Sequence, residues 1–327
     1  MTMPPFTDRG LARELIGDGR PALSVAAIAL IMSGLFAVFL SARREFLPHD
    51  VQYLGMTAAD LCRVAGCRVV GFMFHDRVAF GGTLISVGVL YLWLAAFPLR
   101  DGAAWAWQTF AVSATLGFAS FLAYLGYGYL DAWHGAATLL LLPTFVVGLM
   151  ASRPHATTRA RPWIRSAQAK TANPLLRIGR WGLLATGIGI TAAGGVIIFL
   201  GMTEVFVVED LAFMGITRQG LDAVSPRLVG LIAHDRAGFG GGLATIGILL
   251  VMCAIHAAPR RSFHEAVVVA GAAGFGCAIG THFLEGYVNP IHLAPAFAGA
   301  ILFGVSVVCE VIGSRRADQA GAIKVTA

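Results

Sequence analysis

The chain has 327 residues, 57% of them hydrophobic and only 13% charged, and its mean hydropathy is +0.74. A soluble domain carries about 25% charged residues, so soluble enzyme classes are excluded and a polytopic membrane protein is expected. The net charge of +6 requires no nucleic-acid partner, because sixteen of the 24 Lys and Arg fall in segments that the positive-inside bias assigns to the cytoplasm.

Met1 to Arg20 is polar, and the apolar run that follows has no A-x-A-like exit, so this run is expected to stay as a helix. Eight apolar segments follow one another, each near the ~20 residues that a spanning helix needs. They cover residues 22–41, 69–98, 104–127, 133–151, 182–201, 227–257, 264–285 and 291–312. Between the fourth and fifth lies a basic stretch with Arg153, Arg159, Arg161, Arg165, Lys170, Arg177 and Arg180. It reads as a cytoplasmic linker over residues 152–181, dividing the chain into 1–151 and 182–327. Arg9, Arg13 and Arg20 at the N-terminus and Arg315, Arg316 and Lys324 at the C-terminus place both termini on the same side.

The two halves repeat one another. Val69 to Gly82 reads VVGFMFHDRVAFGG, and Leu228 to Gly241 reads LVGLIAHDRAGFGG. Asp50 to Thr57 matches Asp210 to Thr217, and Gly128 to His134 matches Gly286 to His292. Four segments per half is an even number, so the halves enter the bilayer from the same side as parallel repeats. The expected fold is all-α: eight transmembrane helices in two parallel four-helix repeats. The connections after the first and fifth segments then face outward, where Thr57 and Thr217 are candidate N-caps of short helices. Asp50 and Asp210, in the same connections, read as caps or as acid-base groups.

Ionisable residues in an apolar span are costly and usually mark a site. His75, His134, His234 and His292 all fall near the outer ends of their segments, 59 and 58 residues apart within the halves. In an antiparallel bundle the second and fourth helices run the same way, so His75 can face His134 and His234 can face His292. That suits two imidazoles holding one metal, as in a bis-histidine haem. Helix-end histidines bonded to loop backbone would give the same pattern. Asp76 and Asp235 can orient a histidine through its second ring nitrogen. Arg77 and Arg236 can hold an anionic group. An Asp-Arg lattice tying the second helix to the outer connection accounts for these residues equally well. The Phe-Gly-Gly that follows fits close helix packing or the approach of a flat cofactor. The halves differ where Tyr124 becomes His282 and Tyr127 becomes Glu285, which makes His282 and Glu285 candidate acid-base residues of the second half. Cys62 and Cys67 sit together in an outer, oxidising connection, as a disulfide or a redox dithiol. Cys253, Cys277 and Cys309 read as packing residues.

Eight helices in two halves, one outer histidine on each even-numbered helix and an outer cysteine pair together resemble the haem A synthase family. The resemblance implies haem ligation by His75, His134, His234 and His292 and redox handling by Cys62 and Cys67. Where that family carries a glutamate one turn before its histidine, this chain has Gly71 and Gly230. The expected function is a haem-binding oxidoreductase of a prokaryote-type cytoplasmic membrane. Its site faces the extracytoplasmic side, and a quinol or another lipid-soluble molecule is its partner. The alternatives are a transporter or lipid-handling protein, and a membrane enzyme using the same histidines with iron, copper or zinc, such as a cyclase or hydroxylase.

Overall fold

The computed structural model describes residues 16–127, 132–157 and 173–326; the side chains of residues 123, 124, 127, 132–134, 318 and 320–326 lie outside that description. The described residues are helical, with no strand among them. The first half contains α1 (Arg20–Ala42), the short α2 (Pro48–Leu54) and α3 (Ala58–Ala65), α4 (Cys67–Leu94), α5 (Ala104–Phe121) and α6 (Ala132–Ser152). The second contains α7 (Pro174–Met202), the short α8 (Val208–Met214) and α9 (Arg218–Val224), α10 (Leu228–His256), α11 (Arg261–Glu285) and α12 (Pro290–Thr326). Among the described residues, seven helices are long and apolar enough to cross a membrane. The chain is therefore an integral, polytopic helical membrane protein. The expected third span is shorter than its segment: α5 ends at Phe121 and a 3-10 stretch covers Leu122–Tyr127.

Thr57 accepts a hydrogen bond from the Asp60 backbone N–H, and Thr217 accepts one from Gly220, so both act as the expected N-caps. The Thr57 hydroxyl and backbone N–H also bond the Asp60 carboxylate, which lowers its pKa. Asp50 and Asp210 each accept the backbone N–H three residues earlier, from Leu47 and Val207, and so cap α2 and α8.

Burial separates the long helices into two kinds. Buried residues make up 67% of the α4 span and 61% of the α10 span, against 17–22% in the other five. The helices that carry the duplicated triplets are thus the centre of the molecule. The Phe-Gly-Gly sequences explain how neighbours approach them. A Cβ on Gly81 would lie 2.8 Å from the Gly34 carbonyl of α1, and one on Gly240 would lie 2.8 Å from the Gly194 carbonyl of α7. Helix packing, rather than a flat cofactor, fills this space.

The halves are not two self-contained bundles. The helix packed most closely on α4 after α1 is α11 of the other half, and α10 is flanked by α7 and by α5 of the first half. Two chain segments with the same apolar pattern offer the same surface, and here each centre helix takes its third neighbour from the opposite half.

Candidate metal centre

The exchange of α11 decides which histidines meet. His75 comes from α4, His282 from the last turn of α11, and His292 from the first turn of α12. One ring nitrogen from each lies within 4.8 Å of the others. The side chain of His134 lies outside the described residues, as do those of Tyr124 and Tyr127. The structure brings together a three-histidine group: His75 faces His282 across 3.0 Å between Nε2 atoms, and His292 joins them, its ring 5.2 Å from that of His282; the expected pairing of His75 with His134 falls outside the described residues. His234 is bonded through Nδ1 to Asp235 Oδ1 at 3.1 Å.

The neighbours of the three rings fix their tautomers. His75 Nδ1 lies 3.1 Å from Asp76 Oδ1. A carboxylate only accepts, so the proton is on Nδ1. His282 Nδ1 lies 2.6 Å from the Ala278 carbonyl, again an acceptor only. Tyr287 donates its hydroxyl to Asp210 Oδ1 at 2.8 Å, so its oxygen is left to accept from His292 Nδ1 at 3.2 Å. All three Nδ1 atoms are thus donors, which leaves the lone pair of each neutral ring on Nε2, and the Nε2 atoms of His75 and His282 face each other. Lone pairs held 3.0 Å apart repel unless a proton or a cation lies between them. Histidines that bind metals are held in this way, the second nitrogen donating to a carboxylate, carbonyl or hydroxyl.

The triplet residues form a reciprocal lattice across the halves. Arg236 binds Asp76 of the first half through Nε at 3.2 Å and Asp210 of its own half through Nη1 at 2.7 Å. Arg77 binds Asp235 at 3.0 Å and Asp50 at 2.7 Å in the same way. Arg236 also donates to the Val205 carbonyl at 2.6 Å, where Val205 holds a left-handed backbone at φ 68°, a rare conformation for a β-branched residue. Each guanidinium therefore faces two carboxylates, and on the Arg236 side both are buried, so these three groups together carry one net negative charge. On the Asp76–Arg236–Asp210 side, both carboxylates are linked to the histidine group, through His75 and Tyr287. A cation at the three Nε2 atoms would offset that charge, which is costly in a low-dielectric span.

The remaining candidates fall around this group. Glu285 is not part of it: its carboxylate receives Arg44 Nη1 at 2.5 and 2.6 Å. Its Oε2 lies 2.7 Å from where a Cβ on Gly71 would stand, so a carboxylate from α11 occupies the space one turn before His75. Cys62 and Cys67 form a disulfide. The sequence reading missed Tyr287 as a partner of the site; the signal for it was the Gly-Tyr that recurs five residues before His134 and His292.

A cavity of about 810 Å³ opens from the histidine group. Its polar lining at that end includes His75, Asp76, Arg236, His282 and His292, while the rest is mostly apolar. Comparison with known proteins gives no match to this chain among family models, curated proteins or solved structures.

Proposed function

We propose that the protein is a metal-dependent membrane enzyme whose three-histidine centre acts on the oxygen-bearing head of a lipid-soluble substrate. The approach of one ring nitrogen from each of three histidines to within 4.8 Å of the others, each ring oriented through Nδ1, carries this reading. Neutral imidazoles suit zinc, copper or iron. Tetrahedral ligands at ~2.0–2.1 Å from zinc stand roughly 3.3 Å apart, near the 3.0 Å between His75 and His282. With three protein ligands a fourth position is left for water or substrate, and the cavity supplies the room. The metal would polarise the substrate oxygen or generate a nucleophile from bound water. Asp76, Tyr287 and Asp210 orient the ligands, and Arg236 joins Asp76 to Asp210.

The protein is read as eight helices in two parallel four-helix repeats. The basic residues of the linker and termini lie in the cytoplasm, and the centre sits near the outer face of a prokaryote-type membrane. Cys62 and Cys67 there meet an oxidising compartment.

A second reading keeps these histidines as haem ligands of an oxidoreductase resembling haem A synthase. The Glu285 carboxylate beside Gly71 favours it, since that family has a glutamate at this place. Axial histidines on opposite faces of one iron stand roughly 4 Å apart at ordinary Fe–N lengths, which the close approach of His75 and His282 fits less well.

Metal analysis and an absorption spectrum of detergent-purified protein separate the readings. One metal ion per chain with no Soret band is expected, and the ion is lost in His282→Ala. A stoichiometric Soret band would replace this reading by the second, and neither metal nor haem in protein supplied with both would overturn the two together.

A further inference from the structure

The cavity has a shape that names its occupant. On α4 it is lined by His75, Ala79, Thr83, Ser86 and Leu90, one face of the helix at three- and four-residue steps. Fifteen residues at ~1.5 Å each make roughly 22 Å. The lining of α11 runs from Val267 to His282 and that of α7 from Ala185 to Leu200, each again fifteen residues. Three helices thus agree on one length, about two-thirds of the ~30 Å hydrocarbon core. The 810 Å³ volume spread over roughly 22 Å gives a mean section of about 37 Å², room for an alkyl chain. The charged groups and the imidazoles stand at one end, and Leu90, Leu250 and Val267 line the other, where the Ser86 and Thr186 hydroxyls are spent on backbone carbonyls. Among the helices that line it, α7 and α12 touch at the closed end, where Gly179 and Gly182 meet Ser306 and Glu310.

We propose that this shaft binds a single unbranched lipid chain of about 16–18 carbons whose oxygen-bearing head meets the three histidines. Carbon–carbon bonds of about 1.5 Å zigzag forward by roughly 1.25 Å per carbon, so some 17 carbons fill the length. The proposal rests on the metal-centre reading for the head and on the cavity alone for the tail. Shorter chains leave a void at the closed end, and longer ones overpack it. Chain length is therefore selected even from a bilayer, where lipid tails offer no hydrophobic gradient.

The test uses the full chain in nanodiscs and a series of straight-chain alkyl hydroxamates from 8 to 22 carbons, whose heads chelate metals. Native mass spectrometry reads the bound fraction, and metal content is measured on the same sample. Occupancy is expected to peak near 16–18 carbons and to fall at least tenfold at 10 and at 22. Gly189 lines the shaft about 16 Å from the Leu200 end by helical rise. A Cβ there meets nothing within 4 Å, so this position accepts a side chain; Gly189→Phe is placed to obstruct the shaft, and Gly189→Leu is a gentler form. Both are expected to move the optimum to about 12 carbons. A flat profile on metal-loaded protein overturns the shaft, as does an optimum that Gly189→Phe and Gly189→Leu both leave in place. Metal-free protein that still selects near 17 carbons keeps the shaft and refutes the metal centre instead.

Discussion

Asp76 and Asp235 occupy equivalent places in the lattice, yet only Asp76 touches a member of the three-histidine group. Each carboxylate bonds the Nδ1 of the histidine before it at 3.1 Å and the Nε of an arginine from the other half, at 3.2 and 3.0 Å. Replacing either by Asn removes the charge and turns one acceptor oxygen into a donor. The arginine keeps its second carboxylate, so the loss approximates one charge-assisted hydrogen bond, about 1.5–3 kcal/mol. Both variants are expected to lose stability by that amount. They should differ at the metal. Asp76→Asn loosens the ring that presents His75 Nε2, and the loss of such an orienting partner costs about 10–100-fold in metal affinity. Asp235→Asn leaves the affinity within about twofold. Competition with a chelator measures the affinity, and thermal unfolding of the metal-free proteins measures the stability. Equal metal loss in the two variants, or none in Asp76→Asn, would refute the orienting role and leave Asp76 as a lattice residue alone.

Tyr287→Phe removes the hydroxyl between Asp210 and His292 and should weaken metal binding by about tenfold with unchanged helix content by circular dichroism. Burial first and the Asp210 carboxylate second raise the Tyr287 pKa above the ordinary ~10. Its contribution to stability is complete below pH ~10 and is lost as the pH rises through the folded value, so the wild type should lose more stability than Tyr287→Phe above pH 10. At the other end of the bundle, Arg180 forms a buried ion pair with Glu310 and donates to the Cys253 carbonyl at 3.0 Å. Glu310→Leu leaves a buried cation and should cost about 3–5 kcal/mol, most of it recovered in Arg180→Met/Glu310→Leu; unfolding in detergent reads both, and metal content should not change. The Cys62–Cys67 disulfide closes a loop with a sequence separation of 5, so Cys62→Ser should cost roughly 2 kcal/mol by loop entropy. If reduction also changes turnover at the metal, the pair takes part in the chemistry as well.

Much of this molecule is legible along the chain because the signals are local. Span length follows from the run of apolar residues, the caps follow from Thr57, Thr217, Asp50 and Asp210, and the proximity of Cys62 and Cys67 follows from their spacing. The histidine group is not local. Repetition shows that His75 corresponds to His234, but it does not show which copy of the third apolar segment packs on α4. Within a half, His75 would have met Tyr124; across the halves it meets His282. Glu285 shows the same limit: in the sequence Gly71 reads as a missing carboxylate, whereas in the fold it is the space that a carboxylate from α11 enters. The differences between Tyr124 and His282 and between Tyr127 and Glu285 pointed toward the second half as the specialised one.

The lattice and the centre obey different symmetries, and this separates what the duplication does from what the chemistry needs. Arg77 takes Asp235 while Arg236 takes Asp76, so neither triplet is complete without the other. Removing one copy would leave two carboxylates without their arginine, one across the halves and one in the same half (Asp235 and Asp50 for Arg77), which accounts for both copies on structural grounds alone. The three-histidine group uses His75 from one triplet and draws the rest from α11 and α12, where the repeat is broken by His282. Arg77 faces two carboxylates as Arg236 does. The side ending at His75 adds two further imidazoles, whereas the sequence counterpart of His282 on the other side is Tyr124. A phenol lacks the imine lone pair that a neutral imidazole presents and would have to ionise to replace it. On the proposed reading, the duplicated His-Asp-Arg is a frame, and the sequence difference between Tyr124 and His282 is what adapts its His75 side to a cation.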